Sequence, residues 1–247
     1  MLSKTDTSGD EAERYTPPPK WERAPVSALL MGSPREDLSP KQLALLANVI
    51  RDDRAGVFVA GEVALLKKRC ISVIGARKVS REGAARARRV ARELATAGVV
   101  VVSGLAEGVD TEAMTSAINA GGRVVGVIGT PLDQAYPAKN KRLQEEVYRD
   151  HLLVSQFASG SPVYPSNFPE RNRLMALLSD ATVVIEASDT SGSLHQAAEC
   201  QRLGRWLFIA RSVADNPSLE WPKKFLAYDR CQVLERTDDM LAAVYDQ

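Results

Sequence analysis

Apolar positions along the chain fall into short dense runs separated by longer stretches of helical periodicity. The runs are Ile71 to Gly75, Val99 to Ser103, Val124 to Gly129, Leu152 to Ser155, Thr182 to Glu186 and Trp206 to Ala210. Stretches such as Val99-Val100-Val101-Val102 and Val183-Val184-Ile185 show no polar alternation, so these strands bury both faces between helix layers. The intervening segments, Arg81 to Ala97, Thr111 to Ala120, Lys141 to Arg149, Glu170 to Leu178 and Leu194 to Leu203, read as helices. In the first of them Ala84, Ala87, Val90, Ala91 and Leu94 line one face and Arg81, Arg86, Arg88, Arg89 and Arg92 the other. Strand and helix in alternation predict an α/β protein with a Rossmann-like, doubly wound, mostly parallel sheet and helices on both faces. Its right-handed crossovers place the ligand crevice beyond the carboxyl ends of the strands.

The flanks are simpler. Leu38 to Asp53 predicts an amphipathic helix, capped by Ser39, with Pro40 in its first turn and Leu43, Leu46, Ala47 and Ile50 at helical spacing. Val57 to Ala60 is a further short apolar run. Residues 1–25, polar and carrying Pro17-Pro18-Pro19, bury too little apolar surface to offset ordering entropy and are expected to be a disordered tail. The expected organisation is therefore that tail, a short helical extension over 26–56, and a Rossmann-like domain over 57–247. The last thirty residues, from Ser218, are expected to supply a helix, a short strand around Gln232 to Leu234 and a closing helix.

Composition narrows the function classes. With 247 residues, 45% hydrophobic and 26% charged, the chain is an ordinary globular one. Its net charge of +1 gives no global field, so a surface for polyanions must come from local clustering of Lys and Arg. Cys70, Cys200 and Cys231 are too widely spaced for a zinc site and read as reduced core thiols, and His151 and His195 add no ligand pair. No metal or cofactor is expected. There is no apolar leader and no run long enough to span a bilayer, so the expectation is a cytoplasmic protein that does not meet a membrane.

Candidate chemistry lies where strands end. Gly75-Ala76-Arg77, Ser103-Gly104-Leu105-Ala106-Glu107-Gly108, Gly129-Thr130 and Ser188-Asp189-Thr190-Ser191-Gly192-Ser193 are short Gly-containing loops. Glycine lets backbone approach a ligand, hydroxyls donate to phosphate oxygens, and the helix that follows favours an anion. Neither G-x-G-x-x-G nor G-x-x-x-x-G-K-[ST] occurs, which removes support for ordinary NAD binding and for ATP hydrolysis. Arg77 presents a planar fork at the crevice mouth. Asn167-Phe168-Pro169-Glu170-Arg171-Asn172-Arg173 opens a helix with two arginines that point in different directions, one suited to a ligand and the other to anchoring the loop. Tyr136, Phe157, Tyr164 and Phe168 stand where bases could stack or where loops need plugs. Ser191 or Ser193 with His195 is the one local nucleophile pairing, and it lacks the strained G-x-S-x-G elbow.

Taken in order, these motifs resemble the Rossmann-like domain of the DprA/Smf family of DNA-processing proteins. The resemblance rests on Gly75-Ala76-Arg77 with Ser80 and Gly83; Ser103-Gly104-Leu105-Ala106-Glu107-Gly108-Val109-Asp110; Gly129-Thr130-Pro131-Leu132-Asp133 with Tyr136-Pro137 and Asn140; Asn167 to Arg173; and Glu186-Ala187 with Ser191-Gly192-Ser193-Leu194. It runs from about Val57 to Ala210. It implies single-stranded DNA binding without catalysis, homodimerisation and loading of the RecA recombinase. It nominates Arg77, Ser103, Gly104, Ser191, Gly192 and Ser193 as phosphate-binding residues, with Arg171, Asn172 and Arg173 supporting the crevice.

Several positions depart from the family pattern. Met114 stands for a usual His, Gln156 for a Glu, Met175-Ala176-Leu177 for Ile-Ser-Gly, His195-Gln196 for Ile-Thr and Ala210-Arg211 for Pro-Gly. With no winged-helix domain expected, the chain is also similar to short DprA-like antitoxins of phage-defence pairs such as ShosTA, which implies a cognate toxin as an alternative partner. A third reading comes from the related phosphoribohydrolases, whose last loop carries a catalytic carboxylate. Gln196 is an amide at that place, and an amide cannot act as general acid or base at neutral pH. Glu199, one turn on, would substitute only in a rotated helix.

Overall fold

The computed structural model describes residues 14–36 and 56–246. Within them nine strands run in chain order as β1 (Glu22–Ala24), β2 (Val57–Gly61), β3 (Cys70–Ile74), β4 (Val100–Ser103), β5 (Val124–Ile128), β6 (Leu152–Ser155), β7 (Ala181–Val184), β8 (Trp206–Ala210) and β9 (Cys231–Leu234). They form one sheet ordered β1-β2-β6-β5-β4-β3-β7-β8-β9. From β6 across to β9 every neighbouring pair is parallel, whereas β2 is antiparallel to β6 and β1 to β2. The mostly parallel Rossmann-like sheet is thus present. Each apolar run expected to be a strand is one, to within one or two residues at its ends.

Two helix layers cover the sheet, and the alternation of side chains sorts the core between them. Cys70, Ile74, Val100, Val102, Val125, Val127 and Val184 pack to one side. There they meet α1 (Val26–Leu30), α5 (Asn167–Leu177), α6 (Ser193–Arg202), α7 (Arg211–Ala214) and α8 (Trp221–Leu226). Ile71, Val73, Val99, Val101, Val124, Ile128 and Val183 pack to the other. That side is covered by α2 (Arg81–Thr96), α3 (Val109–Asn119), α4 (Lys141–Asp150) and α9 (Thr237–Tyr245). Every residue of β3, β4, β5 and β7 is buried, as the unbroken Val and Ile runs require.

The N-terminal segment differs from its expectation. Of residues 1–25, read as a disordered tail, 14–24 lie against the fold. Tyr15 donates to the Leu132 carbonyl at 2.8 Å, the Thr16 N–H to Glu145 at 2.8 Å, and Tyr148 to the Thr16 carbonyl at 2.9 Å. Trp21 packs edge-on to Phe58 at 5.4 Å, and β1 extends the sheet beyond β2. Two aromatic side chains supply the apolar area that the polar composition hides. The helix expected over Leu38 to Asp53 lies outside the described residues.

Arg35, in the same N-terminal part, is 1% exposed. Its Nη1 donates to Asp180 Oδ1 at 2.7 Å, and its Nη2 to the carbonyls of Leu66 and Lys68. Asp180 Oδ2 accepts in turn from the Cys70 N–H and the Tyr245 hydroxyl, both at 2.8 Å. One carboxylate therefore joins the N-terminal segment, the starts of β3 and β7, and α9. The three cysteines are buried and unpaired, with burial pushing each thiol up to about 12. Among the described residues no helix is long and apolar enough to cross a membrane.

Arg35→Ala strands the Asp180 carboxylate in the core without its counter-charge. Loss of one partner of a buried pair costs about 3–5 kcal/mol, to be read as a lowered urea midpoint in equilibrium unfolding. An unchanged midpoint would mean that the pair contributes nothing.

Candidate functional site

The direction of winding reverses at β3. The chain proceeds from β3 outward through β4, β5 and β6, then returns to β7 on the other flank of β3. Segments leaving β3 and β7 part to opposite sides, and a cleft of about 900 Å³ opens beyond their carboxyl ends. Its lining includes Gly75 to Lys78, Arg86, Asp110, Phe168, Pro169, Arg171, Asn172 and Ser191 to Ser193.

The two loops are fastened to each other. Ser193 Oγ donates to the Gly75 carbonyl at 3.2 Å, and the Ala76 N–H to the Glu186 carbonyl at 2.7 Å. Asn172 Nδ2 donates to the Gly192 carbonyl at 3.0 Å, tying α5 to the start of α6. Inside the α6 loop, Ser191 Oγ accepts from the Ser188 N–H at 2.8 Å, so that hydroxyl shapes the turn. At the start of α6 the Leu194 N–H donates to the Ser191 carbonyl at 3.1 Å and the His195 N–H to the Gly192 carbonyl at 3.2 Å, so what this end offers an anion is the N–H groups of Gly192 and Ser193 and the positive end of the helix dipole.

Arg77 is exposed at the mouth, its guanidinium 5.3 Å from the centroid of the Phe168 ring, which lies 5.3 Å from that of Tyr136. The aromatic face holds the charge at the lip by a cation–π contact. Gly108, at φ +77°, makes the turn that brings this loop against the next: its α-carbon sits over the carbonyls of Ala76 and Arg77, and the Val109 N–H donates to the Ala76 carbonyl at 3.2 Å. Lys78 and Arg86 join Arg77 on this rim. Neither was singled out for the crevice from sequence. Arg86 was one of five arginines on a helix face, and only its position in the first turns of α2 distinguishes it from its neighbours. Arg88 and Arg89, by contrast, pair with Glu112 and Glu93.

The floor is a buried ion pair. Asp110 Oδ2 accepts from the N–H groups of Gly104 at 3.1 Å and Ala106 at 3.3 Å, and lies 3.9 Å from Arg171 Nη1. Arg171 is 5% exposed and also donates to the Val127 carbonyl at 3.1 Å. Burial pushes the Asp110 carboxyl up, against the pull of Arg171 and the two N–H groups, and draws Arg171 down. Of the two arginines in that segment, Arg171 is thus the anchor, and Arg173 is not among the residues lining the cleft.

Ser103 does not reach the cleft either: it is fully buried, donating to the Val73 carbonyl at 2.8 Å between β4 and β3. Gly104 takes part through its backbone, bordering a smaller hollow shared with Arg77, Tyr136, Phe168 and Arg171. The structure accordingly gathers Arg77, Arg171, Asn172, Ser191, Gly192 and Ser193 around one cleft, sets Gly104 beside it, and leaves Ser103 and Arg173 out.

Glu186 reaches across from the end of β7 to the start of α2, whose first turn also carries Glu82, and it enters the sequence pattern as part of a motif without a role. Its Oε1 accepts from the Ser80 N–H at 2.9 Å and its Oε2 from Ser80 Oγ at 2.5 Å, while Ser80 Oγ caps the Gly83 N–H at 3.0 Å. The place where dinucleotide folds hold a pyrophosphate is filled by the protein's own anion.

The two positions weighed for a hydrolytic carboxylate do not bring one into the cleft. Glu199 is 1% exposed, bonded to Arg202, and not part of the cleft lining, whereas Gln196 is at the floor. Among the described residues no cluster of His, Cys, Asp or Glu is placed to hold a metal.

A family model described as DNA recombination-mediator protein A matches residues 35–245. DNA processing protein DprA of Streptococcus pneumoniae is 40% identical over 163 residues, covering 66% of this chain and 57% of that protein. Its counterpart from Bacillus subtilis is 31% identical over 190 residues, covering 76% and 64%. This chain therefore spans less than two thirds of the length of either. The X-ray structure of the pneumococcal protein superposes with a TM-score of 0.70 at 35% identity, over 77% of this chain and 67% of that one. A structure of DNA processing protein A from Helicobacter pylori, concerned with the single-stranded DNA binding mode of that protein, gives a TM-score of 0.72 at 22% identity over 92% and 96% of the two chains.

A methyl group on Gly104 would overlap the Arg171 guanidinium. Gly104→Ala is expected to displace Arg171 from Asp110 and to destabilise the fold by about 1–3 kcal/mol, seen as a lower thermal midpoint. An undisturbed midpoint would show that the floor tolerates the intrusion.

Proposed function

The chain belongs to the DNA recombination-mediator protein A family, and we propose that it binds single-stranded DNA in the switch-point cleft without chemical turnover. The observation that carries this reading is the opposition, across one cleft, of a cationic rim (Arg77, Lys78 and Arg86) and the N-terminus of α6 at Gly192-Ser193. Phosphates of one strand would bridge the two, held by guanidinium and ammonium groups on one side and backbone N–H groups on the other. Phe168 and the half-exposed Tyr136 offer ring faces to unpaired bases, an interaction closed to a duplex whose bases are already stacked. The pneumococcal and Bacillus relatives support the assignment to DNA processing. The aligned part makes up 57% and 64% of those two proteins.

The absence of turnover is part of the proposal. The positions that related hydrolases use supply no acid, since Glu199 is buried against Arg202 and Gln196 cannot ionise, while Glu186, which does line the cleft with Glu82, is engaged by the N–H and hydroxyl of Ser80. Asp110 lies beneath the cleft, but its Oδ2 is committed to two loop N–H groups beside Arg171.

Three rim cations imply a shallow salt dependence, with log K falling against log salt at a slope of about −2 for single strands. Arg77→Ala is expected to weaken binding of a labelled oligonucleotide and to flatten that slope by about 0.7, measured by anisotropy at several salt concentrations. No binding by the wild type at low salt would end the proposal, and equal binding by the variant would remove Arg77 from it. Glu186→Gln keeps a hydrogen-bonding group at α2 while removing a negative charge beside the strand. It should tighten binding by about two- to five-fold at low salt, an effect that fades as salt screens it. A weaker complex would mean that the carboxylate supports the strand.

A further inference from the structure

The N-terminal strap of residues 14–24 does more than lengthen the sheet. β2 runs antiparallel to β6, so Phe58 is paired with Ser155 at the carboxyl end of the sheet, and β1 sets Arg23 beside Phe58. The strap crosses the loop that follows β5, fixed by the bonds of Tyr15 to the Leu132 carbonyl and of the Thr16 N–H to Glu145. Pro17, Pro18 and Pro19 have φ already set, so this backbone loses little freedom on docking. Between strap and loops lies a hollow of about 110 Å³, whose lining includes Pro18, Trp21, Phe58, Leu132, Asp133 and Phe157.

Three aromatic side chains thus share this hollow with one carboxylate. Trp21 is 50% exposed even though it packs edge-on to Phe58. Asp133 Oδ2 accepts from the Ser159 hydroxyl and from the Gly160 N–H at 3.1 Å, whereas its Oδ1, covered from water, has no donor among the described residues. No Lys, Arg or His is among the lining residues, so the carboxylate charge is uncompensated there. The negative field extends along the strap. Burial first, and then neighbouring charges that include Glu145 and Asp133, push the Tyr15 hydroxyl up, although Gln144 donates to it. Aromatic faces are electron-rich as well, so rings and a carboxylate together attract a cation and repel a phosphate. The same surface already carries one guanidinium: Arg23 lies 5.7 Å from the centroid of the Phe58 ring. At about 110 Å³ the hollow is well below the roughly 300–1,000 Å³ of sites that take a whole small molecule, and a single side chain entering end-on is what fits.

We propose that this hollow is a docking site for an arginine side chain of a partner protein, the guanidinium lying against the rings of Trp21, Phe58 and Phe157 beside the Asp133 carboxylate. Arginine suits it better than lysine, because a planar and weakly hydrated guanidinium stacks on rings and leaves water at lower cost than an ammonium. A half-exposed tryptophan is also the residue type that anchors protein interfaces. From β3 to β2 there are four strand spacings, roughly 19 Å at about 4.8 Å each. An arginine seated here therefore does not compete with an anion in the switch-point cleft. The site is a second surface at the same edge of the sheet and is independent of strand binding.

The probe is a capped Gly-Arg-Gly peptide, set against its citrulline counterpart, in which a neutral urea of the same shape replaces the guanidinium. Binding to the full chain is followed by the shift of the Trp21 indole signal in nitrogen–proton correlation spectra, assigned by its loss in Trp21→Leu. Wild type should give a saturable shift with the arginine peptide and bind the citrulline peptide about ten-fold more weakly. Asp133→Asn keeps a carbonyl for Ser159 and Gly160. It should bring the arginine peptide down to the citrulline level at an unchanged thermal midpoint. If that midpoint falls, Trp21→Leu decides instead: it keeps an apolar contact with Phe58, and calorimetric titration should show the arginine peptide weakened by about five-fold. Absence of a saturable shift, equal binding of the two peptides, an arginine preference intact in a stable Asp133→Asn, or undiminished affinity in Trp21→Leu each overturns the site. Thymidine should leave the Trp21 signal in place, and a saturable shift with it would assign the hollow to a base and overturn the arginine.

Discussion

Everything at the site follows from β3 having β4 on one flank and β7 on the other. In a parallel sheet each crossover helix must cover one face, and only where the winding reverses do two consecutive connections leave neighbouring strands toward opposite faces. No side chain has to be removed to open a cleft at that point. The loops flanking it become partners by topology, although Gly75 and Ser193 are more than a hundred residues apart, and the bond from Ser193 Oγ to the Gly75 carbonyl expresses that forced proximity.

A cleft opened this way begins with two helix N-termini, those of α2 and α6, both attractive to anions. The protein treats them differently. At α2 the Glu186 carboxylate and the Ser80 cap take up the donors, whereas at α6, among the described residues, no carboxylate is bonded to the first turn and Gly192 and Ser193 line the cleft. The consequence is selectivity by geometry. A dinucleotide lying in the usual Rossmann manner would bring its pyrophosphate against Glu186 and be repelled, while a phosphate approaching from the Arg77 side meets a cation first and a helix end second. Absence of the G-x-G-x-x-G pattern is the trace of this arrangement in the sequence, since close backbone approach at α2 serves a side chain of the protein itself.

The sheet, both helix layers and the location of the cleft were legible from periodicity, because strands buried on both faces leave runs such as Val99 to Val102 that no other element produces. The site was legible only in part. Gly, Ser and Arg mark a loop as suited to phosphate, but the pattern does not say whether a hydroxyl points into the cleft or back into the sheet. Ser103 ends a strand whose other residues are buried, and its hydroxyl takes the nearest carbonyl. Arg171 and Arg173 look equivalent in the chain. Only the packing of α5 against the Gly104 backbone turns the first inward to Asp110. The same limit applies at the N-terminus, where Tyr15 and Trp21 find partners more than thirty residues away that no local window contains.

The buried pair beneath the cleft braces these loops from below. Asp110 is drawn into the core by two loop N–H groups, and its charge would be prohibitive there without Arg171. Arg171 in turn is held by the Val127 carbonyl, at the carboxyl end of β5. Loop, α3, α5 and β5 are thereby locked by one carboxylate, and Asn172, the next residue, carries the constraint to the start of α6 through its bond to Gly192. A donor array fixed before the anion arrives loses little conformational freedom on binding. That rigidity would suit the proposed hold on a flexible strand, since the ordering entropy would then fall on the strand alone.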